Sequence, residues 1–223
     1  MKKYLEKVKH VPLFNGLSDE EICSILSCIN ARITEYEKDC MIFREDDKAE
    51  KIGIVLSGSV QIERYDIDGT RDIIAVINTP NLFGEVYAFA DIDCLPVNVI
   101  AAEKSSVMLI DGKCIKSPCS KLCDSHYTLI KNLLRIVTQK NLILNQKISF
   151  LSKRTTRQKL ISYLMSEAKR QKKYEFDIQY SRQELADYLC VERSAMAAEL
   201  SKLCKDGIIE TKRCHFKLLN YHY

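Results

Sequence analysis

Residues 181–203, SRQELADYLCVERSAMAAELSKL, decide the fold of this chain, because they read as two short helices joined by a tight turn. Ser181 and Glu184 stand three apart. At that spacing a hydroxyl accepts from the third helical amide while the carboxylate reaches back to the first, so a helix starts here. Leu185, Ala186 and Leu189 give it an apolar face, and the small Ala186 lets another helix cross closely. The turn falls near Cys190 and Val191. A second helix is expected from about Glu192 to Lys205, with Met196, Leu200 and Leu203 as its buried stripe and Asp206-Gly207 as its stop. Burying that stripe turns Arg193, Ser194 and Ala197 outward, and an outward helix of this diameter fits a DNA major groove. An ordinary helical hairpin shares the local pattern.

The flanking sequence extends the pattern. After Gly207, Ile208, Ile209 and Thr211 alternate with charged residues, Lys212 to His215 can turn, and Phe216, Leu218 and Leu219 return as a second strand, making a wing. Upstream, Ser152 is expected to cap a helix through Tyr163 and Ala168 whose first turn carries Lys153, Arg154 and Arg157. QKKYEFD (171–177) reads as a turn leading to a short strand. Residues 151–223 hold 15 Lys and Arg against 9 Asp and Glu, a net of +6, while residues 1–150 hold 19 against 21, a net of −2. The positive excess sits with the two helices and suits attraction to a phosphate backbone, with Arg154 and Arg157 as candidate phosphate contacts.

At 223 residues and 46% hydrophobic content the chain can bury two cores. Its first residues, MKKYLEKVKH, lack the apolar run of a secretory signal, and no window reaches membrane-spanning length, so a cytoplasmic protein is expected with no membrane partner. The ten cysteines are scattered, and most are expected to be reduced thiols buried as small apolar side chains. The nucleotide-binding, hydrolase and metalloprotease motifs G-x-x-x-x-G-K-[ST], G-x-S-x-G and H-E-x-x-H are missing, so no enzyme is expected.

Toward the N-terminus, Ser18 and Glu21 form a second capping-box pair, predicting a helix over 19–29. Short β-rich runs follow at 52–56, 59–65, 72–77, 97–101 and 107–110, separated by turn residues that include Gly58 and a hairpin tip at Asp66-Ile-Asp-Gly69. They predict an antiparallel β-barrel or jelly roll. Next, apolar pairs recur every seven residues: Leu129-Ile130, Ile136-Val137, Ile143-Leu144 and Phe150-Leu151. That period is a coiled-coil signal, with Ile130, Leu133, Val137, Leu144 and Ile148 as candidate dimer-interface residues and Lys140 and Asn141 interrupting the neighbouring stripe. A single amphipathic helix packed on its own barrel would show a similar stripe.

Gly58-Ser59-Val60, the Asp-Ile-Asp-Gly hairpin, Leu82-Phe83-Gly84-Glu85 and the two-helix segment occur in an order that resembles the Crp/Fnr family of bacterial transcription regulators. The resemblance implies an α+β protein: an effector-sensing β-barrel domain with an N-terminal helix (1–122), a long dimerisation helix (123–151) and a winged helix-turn-helix (152–223). It further implies a homodimer that reads an inverted repeat in double-stranded DNA, contacts RNA polymerase if an activator, and answers to a small-molecule effector. Ser181, Arg182, Gln183, Arg193, Ser194 and Ala197 are the implied DNA contacts, Arg193 standing where the family reads guanine; relatives carry Ser and Arg where this chain has Ala197 and Ala198. The implied effector pocket holds Gly84, Glu85, Tyr87, Leu95 and Pro96. In cyclic-nucleotide-binding members an arginine and a small hydroxyl residue follow the Gly-Glu pair, and here Leu95 and Pro96 replace them. A buried phosphate without a cation is costly, so a different effector is expected. No cofactor is assigned. Cys114, Cys119, Cys123 and His126 place four soft or borderline ligands within 13 residues, which suits zinc, an iron–sulfur cluster or a thiol redox switch, though without a paired C-x-x-C. A cyclic-nucleotide regulatory subunit of an enzyme would share the barrel but has no use for the basic two-helix segment.

Overall fold

A computed structural model describes residues 2–65, 68, 71–90, 92–116 and 124–219, and the chain divides into two compact units, Met1–Thr138 and Gln139–Tyr223. In the first unit, α1 (Lys2–Val8), a 3-10 turn (Pro12–Phe14) and α2 (Asp19–Cys28) precede the strands. The α2 cap forms as expected: the Glu21 amide donates to Ser18 Oγ at 3.3 Å and the Ser18 amide to Glu21 Oε2 at 2.8 Å. The strands β1 (Arg32–Tyr36), β2 (Met41–Phe43), β3 (Lys51–Ser57), β4 (Ser59–Tyr65), β5 (Arg71–Asn78), β6 (Leu82–Phe83), β7 (Asn98–Ala101) and β8 (Ser105–Asp111) are interrupted by α3 (Glu85–Phe89) and followed by α4 (Gly112–Lys116). They form two antiparallel four-stranded sheets, ordered β1-β8-β3-β6 and β2-β7-β4-β5, the jelly-roll architecture read from the sequence. The strands β1, β2 and β6 are additions to that reading. Two are only two or three residues long, and β1 alternates with charge.

Between the sheets lie Phe43, Val55, Val60, Phe83, Leu95, Val99 and Val107. On the other side of β3 and β8, Ile52, Ile54, Leu56, Met108 and Ile110 pack with residues of α2 and with Leu129 and Leu133 of the long helix α5 (Asp124–Leu151). β3 is thus buried on both faces, and so reads as a continuous apolar run where a half-exposed strand would alternate. Gly53 belongs to this packing: a Cβ there would stand 2.0 Å from Cζ of Phe83, whose ring fills the space. Gly58 joins β3 to β4 at φ +78, a left-handed conformation that favours glycine. Of the predicted hairpin tip only Asp68 is described; its flanks pair from Tyr65 to Arg71.

The second unit holds the end of α5, α6 (Thr156–Gln171), β9 (Glu175–Asp177), α7 (Arg182–Tyr188), α8 (Arg193–Lys205), β10 (Ile209–Lys212) and β11 (His215–Leu218), with its sheet in the order β10-β11-β9. Phe150, Tyr163, Tyr180 and Tyr188 form an aromatic group, with Phe150 edge-on to Tyr163 at 5.8 Å and Tyr180 stacked on Tyr188 at 5.0 Å. Burial holds the Tyr163 phenol well above its ordinary pKa, so it is neutral at any physiological pH.

One expected boundary is corrected. Ser152 does not cap α6: its hydroxyl donates to the Ser149 carbonyl at 3.0 Å, while Thr155 Oγ1 accepts from the Gln158 amide at 3.2 Å. Lys153 and Arg154 therefore precede the helix and only Arg157 lies in its first turn. Thr155→Ala should cost about 1 kcal/mol of stability and Ser152→Ala close to nothing, read from urea unfolding midpoints.

The edge of the small sheet carries a titratable clip. His215 on β11 faces two carboxylates of β9, with Nδ1 3.1 Å from Asp177 Oδ1 and Nε2 3.2 Å from Glu175 Oε1. The imidazolium form donates to both. Those bonds, with Asp177 the larger influence, raise the pKa of His215 above its ordinary value near 6.5. A raised folded-state pKa means that this stabilisation is complete below the ordinary value and is lost as pH rises through the folded one. In an NMR titration the His215 midpoint should lie above that of an unstructured histidine and fall back toward it in the Glu175→Gln, Asp177→Asn double variant.

Candidate nucleic-acid interface

The two-helix segment forms as its sequence predicts. The Glu184 amide donates to Ser181 Oγ at 3.3 Å and the Ser181 amide to Glu184 Oε2 at 2.7 Å, completing the capping box. Leu185, Ala186 and Leu189 are fully buried, as are Met196 and Leu203, with Leu200 nearly so, and the smallness of Ala186 leaves room for the crossing. The turn closes through Val191 N to Ala186 O at 3.0 Å, with Cys190 at φ +49. For a residue with a Cβ that conformation costs about 1–2 kcal/mol. Lys159 of α6 braces the turn, its ammonium donating to the carbonyls of Leu189 at 3.1 Å and Cys190 at 3.4 Å.

With the stripe buried, Arg193, Ser194, Ala195, Ala197, Ala198 and Ser201 are exposed along α8. Beside them runs a cleft of about 480 Å³ between α8, the start of α7 and the wing, lined by Arg193, Ala197, Ser201, Arg182 and Thr211 among others. Arg193 is exposed and makes no hydrogen bond or ion pair among the described residues, so its planar fork is available. Glu199, which stands where an apolar residue would be expected, is half-buried and paired with Lys202 at 2.6 Å.

The remaining candidates separate into committed and available groups. Arg182 turns inward: its guanidinium lies 4.6 Å from the centre of the Phe216 ring and donates to Thr211 Oγ1 at 2.6 Å, and that hydroxyl donates to the His215 carbonyl at 2.8 Å. Burial lowers its pKa. Arg182 therefore fixes the wing to α7 as a positioning residue while also lining the cleft. Ser181 Oγ accepts from the Glu184 amide in the cap, Gln183 donates to Asp187 Oδ1 at 2.8 Å, and Arg157 is paired with Asp206 at 2.6 Å. Arg154 is exposed and uncommitted among the described residues. Lys212 and Arg213, exposed at the wing tip, were missed as candidates; the basic pair at the turn was the available signal.

In the first unit, Gly84 is the N-cap of α3 at φ +79, Glu85 is 2% exposed and Tyr87 is half-buried, its phenol pushed up by burial. Leu95 and Pro96 differ in burial. Leu95 is buried among Phe43, Phe83 and Val99 while Pro96 faces solvent, the alternation of an extended chain entering β7.

On α5, Leu133 is buried in the core of the first unit and is corrected out of the exposed seam, which instead shows Ile130, Leu134, Val137, Leu144 and Ile148. Cys119 and Cys123 lie outside the described residues. Cys114 is half-buried with its thiol pKa raised by burial, and His126 is buried. Among the described residues no group of three His, Cys, Asp or Glu could hold a metal ion. Cys23, Cys28, Cys40, Cys94, Cys190 and Cys204 are exposed thiols, which corrects the expectation that most are buried. The small thiol lets a cysteine sit at a surface without the cost that exposes larger apolar side chains as patches. No helix among the described residues is long and apolar enough to cross a membrane.

Comparison with known proteins gives the same division. The cyclic nucleotide-binding domain family matches residues 33–121, and the Crp-like helix-turn-helix domain family matches residues 158–223. The cyclic AMP receptor protein of Thermus thermophilus is 33% identical over 79 residues, a match spanning 35% of this chain and 36% of that protein. Two solved structures share the fold along nearly the whole chain. The c-di-GMP-responsive global regulator CLP of Xanthomonas campestris is 19% identical at TM-score 0.57, covering 92% of this chain and 100% of its own. DNR of Pseudomonas aeruginosa is 19% identical at TM-score 0.52, covering 99% and 95%. With a cyclic nucleotide-binding domain followed by a Crp-like helix-turn-helix, the chain belongs to the Crp/Fnr family of DNA-binding transcription regulators.

Proposed function

We propose that this regulator works as a cytoplasmic homodimer that reads an inverted repeat in double-stranded DNA, with α8 of each copy in the major groove. The observation that carries this is the exposed face of α8: Arg193 is uncommitted at its first turn, beside a cleft closed on the far side by the wing. A free guanidinium there can bond O6 and N7 of guanine together, while Ser194 offers a hydroxyl and Ala195 and Ala197 offer methyl contact to thymine. Arg154 and the wing-tip pair Lys212 and Arg213 are placed on exposed backbone suited to phosphate. Residues 151–223, with their net charge of +6, supply the attraction. Six exposed thiols suit a reducing compartment. Residues 1–122 are read as the sensing domain, 123–151 as the dimerisation helix and 152–223 as the DNA-binding domain, with RNA polymerase as a further partner if the protein activates.

For the effector, the residues that follow Gly84-Glu85 argue against a cyclic nucleotide. Leu95 is core and Pro96 has no cation to offer, so a phosphate buried at these two positions would lack a cationic partner. Exposed Ile130, Leu134 and Val137 on α5 supply the surface through which the state of the sensing domain would reach the pairing of two copies.

Two experiments test these readings. Arg193→Ala should cost about 1–3 kcal/mol of specific binding and flatten the preference at one base pair per half-site in a selection from random DNA; a uniform loss on all sequences would make Arg193 a phosphate contact. Titration calorimetry with cyclic AMP and cyclic GMP should show no heat of binding at concentrations of order 100 μM, well above the micromolar affinity that would overturn the effector reading.

A further inference from the structure

We propose that Asn141 sets the direction, register and two-chain stoichiometry with which α5 pairs with α5 of a second copy; the inference rests on the homodimer proposed above. The exposed stripe of α5 is longer and more regular than the apolar pairs of the sequence suggest. Tyr127, Ile130, Leu134, Val137, Leu144 and Ile148 are each between 38 and 71% exposed, and their spacings are three, four, three, seven and four. The interval of seven between Val137 and Leu144 is divided into four and three by Asn141, itself exposed. Tyr127, Leu134, Asn141 and Ile148 thus occupy one heptad position, a, and Ile130, Val137 and Leu144 the other, d. Asn141 is the polar residue inside an otherwise apolar seam.

Its chemistry distinguishes among the ways two such helices can meet. The Asn141 carbonyl accepts from Asn145 Nδ2 on its own helix at 2.7 Å, leaving a second lone pair and its own NH2 group. In a parallel, in-register pair the two Asn141 side chains face each other, and one amide donates to the other's carbonyl. A slip of one heptad sets each Asn141 against Leu134 or Ile148 of the other copy, and reversing the direction sets it against an apolar d residue. Each alternative buries an amide without its bonds. The flanking charges favour the same answer. Lys140 and Lys147 occupy the g position; antiparallel pairing brings g beside g and so ammonium beside ammonium, whereas parallel pairing brings them beside Asn145 and Ser152. A parallel pair places both copies of α8 about one two-fold axis, which an inverted repeat requires.

The test uses the full chain and sedimentation equilibrium. The unsubstituted protein should be a dimer. Leu134→Ala, in the same seam, should weaken its self-association about tenfold or more. Asn141→Leu should tighten association about tenfold or more and add species larger than a dimer, because a polar a residue holds stoichiometry at the expense of stability. If Leu134→Ala dissociates the dimer while Asn141→Leu leaves affinity and stoichiometry unchanged, or weakens the dimer, the role of Asn141 is overturned and the seam stands. If the unsubstituted chain is monomeric, or Leu134→Ala leaves the dimer intact, the seam itself is wrong.

Discussion

Everything the DNA-binding unit offers to its target follows from one packing constraint, the burial of Met196, Leu200 and Leu203 of α8 with Leu185 and Ala186 of α7 and Leu189 at its end. Each large side chain buried there contributes about 1.5–3 kcal/mol, far more than any single polar contact at the surface of the helix. The stripe therefore fixes the rotation of α8, and which residues face outward is not a separate choice. Arg193, Ala197 and Ser201 are outward because Met196, Leu200 and Leu203 are inward. The turn is made to serve this crossing. It accepts a non-glycine residue in a left-handed conformation and recruits Lys159 from α6 to satisfy its carbonyls.

The wing is held by a different kind of interaction. A guanidinium between an aromatic ring and a hydroxyl links α7, β10 and β11, so an arginine that lines the cleft beside Arg193 also serves the structure. Arg157 is likewise tied to Asp206. The charge available for a duplex is thereby smaller than the count of Lys and Arg suggests, and is concentrated at the first turn of α8, the loop before α6 and the wing tip.

What the sequence reveals divides along the range of the forces involved. Capping boxes at Ser18 and Ser181 and the stripe of α8 are local, and they were legible to within a residue or two. The start of α6 was not, because Ser152 and Thr155 are both competent caps three residues apart and only the path of the chain selects between them. Leu133 and Leu134 are adjacent apolar residues about 100° apart on a helix, and which one faces the core of the first unit depends on where the strands lie. Arg182 could be assigned only once Phe216, 34 residues later, was beside it. The exposed thiols were misjudged for the same reason: cysteine composition carries no direction.

Gly53 and Phe83 show a last consequence of close packing. The ring of Phe83 occupies the volume that a side chain at position 53 would need, so the two positions hold one side chain between them. Neither can be altered on its own terms. Enlarging position 53 demands a smaller residue at 83, and shrinking 83 first opens a void that only a larger residue at 53 could fill. Among descendants of this chain the two sites should change together, leaving a paired signature of their contact across the sheet.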